Sequence, residues 1–280
     1  MLLGYNTNGL NQLPLEDGLA MLAELGYESV AITLDYAALD PFQRETWQHQ
    51  APRIARLLRR LSLRCVLETG GRFLLYPRRK HQPTLLHPDP AQQQRRRSLL
   101  VRAVALASIL EAEVVSFWSG VAESEENEKV LWQRLTTACR ELCEVAAKNG
   151  VRLGFEPEPG MFIDSMQRFA ELFQAINHPV FGLTLDIGHL VCLGEPIEAT
   201  IQAWHKVLWN VHLEDMVPGR HEHLPFGQGE VPVPEVLRCL AAHGYRGGVH
   251  VELSGHSSMG IAMARQARDF LRQHWPRRLV

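Results

Sequence analysis

The sequence predicts an α/β protein: a single closed (β/α)8 barrel of the TIM type, spanning residues 1–280. Three observations point there. Short apolar runs alternate with helical patterns eight times along the chain. Several of those runs are apolar almost without interruption, as parallel strands buried on both faces are. Eight units in 280 residues allow 35 residues each, in keeping with a barrel that typically needs about 250.

The first strand is read at residues 2–5, where Leu-Leu-Gly-Tyr precedes a polar loop, and the first helix at 14–25. A β-rich run at 29–34 gives the second strand, with a helix from about 41 to 60. Residues 64–67 form the third. A loop rich in Gly, Pro and Arg follows at 70–90, then a helix at 91–110. The fourth strand is 114–118, and its helix, 125–149, is closed by Asn149-Gly150. Strand five is 152–155 with a helix at 164–176; strand six is 181–185 with a helix at 196–205; strand seven is 208–213. A Gly/Pro/His loop at 215–232 leads to a helix at 234–243. Strand eight is 248–253, and the last helix is 261–274. Helical crossovers favour one parallel sheet. A doubly wound open sheet is the alternative. Neither Gly-x-Gly-x-x-Gly nor a Gly-Lys-Ser/Thr loop follows the first strand, which weakens dinucleotide and nucleoside triphosphate folds.

Composition narrows the function classes. Hydrophobic residues are 46% of the chain, enough for a large core without disulfides. Lys plus Arg is 29 against 31 for Asp plus Glu, so no global field draws the chain to nucleic acid or an anionic membrane. The five cysteines, Cys65, Cys139, Cys143, Cys192 and Cys239, contain no Cys-x-x-Cys pair. No basic-then-apolar leader opens the sequence, and the longest apolar stretch, 98–110, is interrupted by Arg102. A cytoplasmic protein is expected, with a small carbohydrate-like substrate as partner and no nucleic acid or membrane. A homo-oligomer is compatible with the sequence. The 13 histidines stand out, because histidine ligates metals and moves protons near neutral pH.

In a (β/α)8 barrel the chemistry sits at the carboxyl ends of the strands. Strand three ends in Glu68 and strand four in Trp118. Strand five ends in Glu156, strand six in Asp186, and strands seven and eight carry His212 and Glu252. Converging buried carboxylates repel one another and cost several kcal/mol each unless a cation joins them. Three carboxylates and one imidazole suit Mn²⁺, Mg²⁺, Co²⁺ or Fe²⁺, and Zn²⁺ less well. Four ligands on an octahedral ion leave two positions for a vicinal hydroxyl and carbonyl.

The motifs Phe155-Glu156-Pro157-Glu158, Leu185-Asp186-Ile187-Gly188-His189, Val211-His212-Leu213-Glu214-Asp215 and Val251-Glu252 resemble those of the xylose isomerase-like barrels, a family of sugar and sugar-phosphate isomerases and epimerases. The loop from His223 through Gly227-Gln228-Gly229 resembles the family's Gly-x-Gly segment after strand seven. The resemblance implies that Glu156, Asp186, His212 and Glu252 bind the metal. It further implies that Glu156 and Glu252 are the acid/base pair, moving a proton through a metal-stabilised enediolate. It makes Glu158 and His189 contacts of substrate hydroxyls or supports of a ligand.

Rival readings remain. The family also contains dehydratases of keto-inositol and dehydroshikimate type, in which the same enolate would expel a β-hydroxyl. Related abasic-site endonucleases draw zinc ligands from the loop after strand seven, where this chain has His221-Glu222-His223. They also need histidines where this chain has Glu68 and Trp118, and a DNA-binding surface at odds with a net charge of −2. A non-catalytic sugar-binding barrel is the third. Arg220, His223, Glu68 and Trp118 are candidate substrate contacts. The basic loop with Arg72, Arg78, Arg79, Lys80 and His81 could meet a phosphate or carboxylate. Arg95, Arg96 and Arg97 are expected to face solvent, while Trp118, Tyr5 and Phe73 are candidates for an apolar wall.

Overall fold

The computed structural model describes residues 1–122 and 125–276. In chain order the elements are β1 (Leu2–Asn6), α1 (Leu15–Glu24), β2 (Ser29–Thr33), α2 (Ala51–Leu61), β3 (Arg64–Glu68), α3 (Pro90–Leu110), β4 (Val114–Phe117), α4 (Glu128–Asn149), β5 (Arg152–Phe155), α5 (Met166–Ile176), β6 (Phe181–Asp186), α6 (Ile187–Leu193), α7 (Ile197–Trp204), β7 (Leu208–Leu213), β8 (Asp215–Val217), β9 (Arg220–Leu224), α8 (Val233–Ala242), β10 (Gly248–Val251) and α9 (Gly260–His274). Eight strands close into a barrel in the order β1, β10, β7, β6, β5, β4, β3, β2. Every neighbouring pair in it is parallel. The pair β8–β9 is an antiparallel hairpin apart from the barrel. The (β/α)8 expectation therefore holds.

The strands alternate with a period of two. One set of residues, among them Tyr5, Val30, Ile32, Leu67, Phe117, Phe155, Leu185, Val211 and Val251, belongs to the main core with the helices. Phe117, Phe155 and Phe181 pack with ring centroids 5.2–6.4 Å apart. The other set faces the barrel axis. It includes a separate small apolar cluster of Ala31, Val66 and Val114. The rest of the axis is lined largely by small or polar residues of the same parity: Ser29 and Thr33, Glu68, Ser116, Thr184, Asn210 and His212, and His250, all buried. The same parity carries on to Glu156 and Glu252 just past the ends of β5 and β10.

His250 fixes the local sequence. Its ring fills the axis so closely that a Cβ on Gly4 would lie 2.4 Å from Cδ2, and one on Gly248 would lie 2.3 Å from Cε1. These glycines answer a close approach; no unusual backbone angle is involved.

Three local expectations are corrected. The helix expected at 41–60 is regular only from Ala51. Before it lies one wide π-type turn, Thr46–Gln50. Pro52 has no N–H for the i−4 carbonyl, so the regular ladder cannot run through that junction. Two elements were not anticipated. Helix α6 springs directly from β6 with Asp186 as its N-cap, and ends at Gly194 with φ 69°. Seven residues are too few to show a helical period. The expected loop at 215–232 contains the β8–β9 hairpin, turned at Gly219 with φ 72°. Asp215 ties the hairpin down, its carboxylate accepting from Gly227 N (2.8 Å), Val231 N (3.0 Å) and Met216 N (3.1 Å). No helix among the described residues is long and apolar enough to cross a membrane.

Replacing Gly4 with Ala forces a methyl into the His250 ring and should cost about 1–3 kcal/mol. Gly70, whose added Cβ would meet no atom within 4 Å, is the control and should change stability by less than about 0.5 kcal/mol on substitution with Ala. Urea unfolding of both variants checks this; equal midpoints would remove the packing argument.

Candidate active site

A cavity of about 710 Å³ opens at the carboxyl ends of the barrel strands. Glu156, His212 and Glu252 line its floor. The ladder of the barrel runs one residue beyond two strands to set the glutamates: Glu156 N donates to Phe117 O (2.9 Å) and Glu252 N to Leu213 O (3.4 Å). His212 Nδ1 lies 3.1 Å from Glu156 Oε1 and 2.9 Å from Glu252 Oε2. Asp186 stands behind them. Its Oδ1 accepts from His189 N (3.0 Å), which caps α6. One donor atom from each of Glu156, Asp186, His212 and Glu252 lies within 4.8 Å of the other three.

A relay inside the barrel aims His212. Glu68 Oε1 can only accept, and two donors converge on it: His212 Nε2–H at 3.0 Å and Asn210 Nδ2–H at 3.0 Å. With its amide nitrogen so assigned, Asn210 Oδ1 accepts from His250 Nδ1–H (2.8 Å). His250 Nε2 then accepts from Ser29 Oγ (2.9 Å). The chain of partners fixes each tautomer and presents His212 Nδ1 to the carboxylates. Glu68, expected to touch substrate, is engaged behind His212 instead, although it borders the cavity.

The two glutamates sit in unequal fields. Burial pushes Glu156 up to about 7, against the pull of His212, with Glu252 and Asp186 adding to the rise. Burial acts on Glu252 in the same sense. There the charge and hydrogen bond of His212, with His223 and the amide of Asn8, outweigh it and hold the carboxyl well below its usual range. Asn8 Nδ2 donates to Glu252 Oε1 at 2.7 Å. Burial works to lower His212, but Glu68, Glu252 and Glu156 together raise it well above an ordinary imidazole.

Other expected residues divide. Glu158, His189, His223 and Trp118 line the cavity, as do Arg72, Lys80 and His81 of the basic loop. Burial, and then Lys80, Arg96 and Arg72, push His81 down to about 3, which marks this wall as cationic. Arg220 is exposed, pairs with Glu222 and is not part of the cavity wall. Arg78 and Arg79 also face outward. Arg96 overturns its expectation. It is 3% exposed and its guanidinium stacks 4.3 Å from the Trp118 ring centroid. Burial lowers it to about 10. Its spacing to Leu99, Leu100 and Ala103 on the buried face of α3 was the available signal. Tyr5 is wholly buried against Tyr27, and Phe73 is exposed, so Trp118 alone of the three supplies cavity wall. Asn8, Asn210 and His250 were not anticipated.

The sequence profile of the xylose isomerase-like TIM barrel family matches residues 19–274. The chain belongs to that family. Among curated family relatives it is similar to L-ribulose-5-phosphate 3-epimerase UlaE of Escherichia coli K12, with 23% identity over 257 residues, 91% of this chain and 87% of the relative. Among solved structures it resembles D-allulose 3-epimerase from Methylomonas sp. in complex with D-allulose (TM-score 0.77, 18% identity, 98% and 97% of the two chains). It also resembles the IolI protein with a bound zinc atom (0.78, 18%, 98% of each chain). A third is the probable 3-DHS dehydratase AsbF of Bacillus anthracis (0.76, 14%, 97% and 99%). At these identities the structures speak for the fold.

The donor set fits a divalent cation. Three carboxylates and an imidazole converge, and Asp186 Oδ2 is buried without a hydrogen-bond partner among the described residues. Glu68 supplies the carboxylate that commonly orients a metal-binding histidine. Glu68→Gln should therefore weaken Mn²⁺ or Co²⁺ binding about 10–100-fold while leaving all four donors in place. Calorimetric titration measures it; wild-type affinity would show that Glu68 does not position His212.

Proposed function

We propose that this chain is a divalent-metal-dependent epimerase or isomerase of small ketoses or ketose phosphates. One observation carries the reading. Of the four converging donors, Glu156 and Glu252 each keep 14% of their side chain exposed and border the cavity, whereas Asp186 and His212 show 0% and 1%. Two carboxylates are thus available to substrate, and two groups serve only to hold them and the cation. The relatives, sugar 3-epimerases among them, support the same class.

A cation held by Glu156, Asp186, His212 and Glu252 supplies Lewis acidity to a substrate carbonyl. The chain's own residues do the rest. Glu252, ionised and steadied by Asn8, takes a proton from the carbon beside the carbonyl. Glu156, which burial holds above the usual carboxylate range, delivers one to the other face of that carbon, which inverts it. Delivery to the neighbouring carbon would isomerise instead. Trp118, braced by Arg96, offers a flat apolar wall to the carbon chain. Arg72 and Lys80 give the cationic side for a terminal phosphate.

A second reading, dehydration, is favoured by Glu158. Burial, then repulsion from Glu156, Glu252 and Asp186, raises its carboxyl well above the usual range. A protonated carboxyl on the cavity wall could protonate a departing β-hydroxyl.

Incubation of the Mn²⁺-loaded protein in D₂O with D-allulose, D-tagatose and L-ribulose 5-phosphate tests the reading. Deuterium should enter the carbon next to the carbonyl, with inversion or carbonyl migration. Loss of water would install the dehydratase instead. Glu156→Gln and Glu252→Gln should each lower turnover about 10²–10⁴-fold with unchanged circular dichroism; wild-type rates would sink the acid/base assignment. His212→Ala should lose bound manganese by elemental analysis, and unchanged stoichiometry would strike it from the ligands.

A further inference from the structure

We propose that Asn8 serves the reaction with both ends of its amide: the nitrogen holds Glu252 in position for proton transfer, and the oxygen accepts from a substrate hydroxyl on the carbon next to the one that Glu252 addresses. This rests on the assignment of Glu252 to proton transfer and adds to it the residue that reads the substrate beside it. Asn8 Nδ2 donates to Glu252 Oε1 at 2.7 Å, while Glu252 Oε2 lies 2.9 Å from His212 Nδ1. The carboxylate is thus held between an amide and an imidazole.

Barrel closure makes the contact. Strand β1 pairs with β10, Tyr5 in register with Val251, so the turn Thr7–Leu10 that follows β1 emerges beside Glu252. The turn is tied down before Asn8 reaches across. Asn6 Oδ1 accepts from Asn8 N (3.1 Å) and from Thr33 Oγ1 (2.8 Å), and Thr33 N donates to Thr7 Oγ1 (3.0 Å). Asn6 and Thr33 are buried. The start of α9 presses on the same turn, since a Cβ on Gly260 would lie 2.4 Å from the Gly9 carbonyl oxygen. Supports of this kind are what hold a working side chain in one geometry.

The orientation of the amide follows. An ionised Glu252 can only accept, so Nδ2 faces it and Oδ1 takes the other position. Asn8 lines the cavity, yet its Oδ1 is buried and has no hydrogen-bond partner among the described residues. Buried acceptors are rarely left so, and one beside a cavity marks a place for a donor. Oδ1 lies within roughly 5 Å of Glu252 Oε1, the hydrogen bond plus the ~2.3 Å between oxygen and nitrogen of one amide. A carbon whose proton points at Oε1 carries its neighbour's hydroxyl within that span. The chemistry of the spot selects an alcohol. A carboxylate or phosphate would be repelled by Glu252, whereas a hydroxyl donates to Oδ1 and brings no charge.

The test is a cycle of two ligands and two proteins. Wild type and Asn8→Ala, loaded with Mn²⁺, are each given D-allulose, D-tagatose or L-ribulose 5-phosphate, whichever binds most tightly, and the 4-deoxy analogue of that ketose. Calorimetry reads binding, and product analysis reads turnover. Wild type should bind the deoxy analogue about 10-fold or more weakly than the parent, and Asn8→Ala should bind the two alike, within about 3-fold. With the parent ketose, kcat of Asn8→Ala should fall about 10–100-fold, because Glu252 Oε1 has lost its partner. Manganese affinity and circular dichroism should stay at wild-type values. Asn8→Asp keeps an oxygen but no N–H, so it should retain the preference for the hydroxyl and lose turnover. The same preference in wild type and Asn8→Ala would overturn the hydroxyl contact, and wild-type kcat in Asn8→Ala would overturn the hold on Glu252. Loss of water in place of inversion, with the binding pattern as expected, would count against the epimerase and leave the role of Asn8 standing.

Discussion

The organising constraint is the crowding of carboxylates around one imidazole at the end of the barrel. Glu68, Glu156 and Glu252 each place an oxygen within 3.1 Å of a His212 ring nitrogen, and Asp186 closes the group. Such a cluster is tolerable only if every oxygen has a positive partner or a hydrogen bond. The rest of the interior follows from that demand. The relay Asn210, His250 and Ser29 anchors Glu68 and sets the ring of His212. Placing His250 on the axis in turn requires glycine at positions 4 and 248. A (β/α)8 barrel usually fills its axis with layers of branched aliphatic side chains. Here a small apolar cluster of Ala31, Val66 and Val114 shares the axis with buried polar residues such as Ser29, Asn210, His212 and His250.

This division explains how much the sequence disclosed. The outward-facing halves of the strands are apolar and pack on amphipathic helices, so their positions and order were legible from local pattern alone. Glu156, Asp186, His212 and Glu252 were legible because strand parity and strand ends are local properties. Their supports were not. Glu68 reads as a rim acid until β7 is known to bring Asn210 and His212 against it, across 142 and 144 residues of chain. Asn8 becomes informative only when barrel closure sets β1 beside β10. Arg220 reads as a substrate contact; its neighbours on β9 line the cavity, while its own side chain is exposed and pairs with Glu222. Arg96 misled in the other direction: a triple arginine suggests solvent, but the middle one lies on the buried face of α3 and its charge is absorbed by the Trp118 ring.

Asp186 is the hinge of the functional reading. As the last residue of β6 and the N-cap of α6, it cannot move without shifting both elements. One oxygen is committed to the helix cap, and the other lies 3.6 Å from His189 Nε2. On its barrel side lie the hard donors and the two glutamates that reach the cavity. On its hairpin side lie the three imidazoles. A substrate in the cavity would meet proton-transfer chemistry on the first side and a rigid rim on the second. What separates inversion from elimination is then geometry within the cavity. Epimerisation needs Glu156 and Glu252 on opposite faces of one carbon. Elimination needs Glu158 within reach of the hydroxyl one carbon further on. Both would fit the same proposed site and the same barrel, and that is why motifs shared by epimerases and dehydratases place the chain in its family without choosing between the two. In the proposed reaction the choice would rest on how Arg72 and Lys80, which line the cavity, hold the far end of the substrate, because that end would determine which carbon stands between the glutamates.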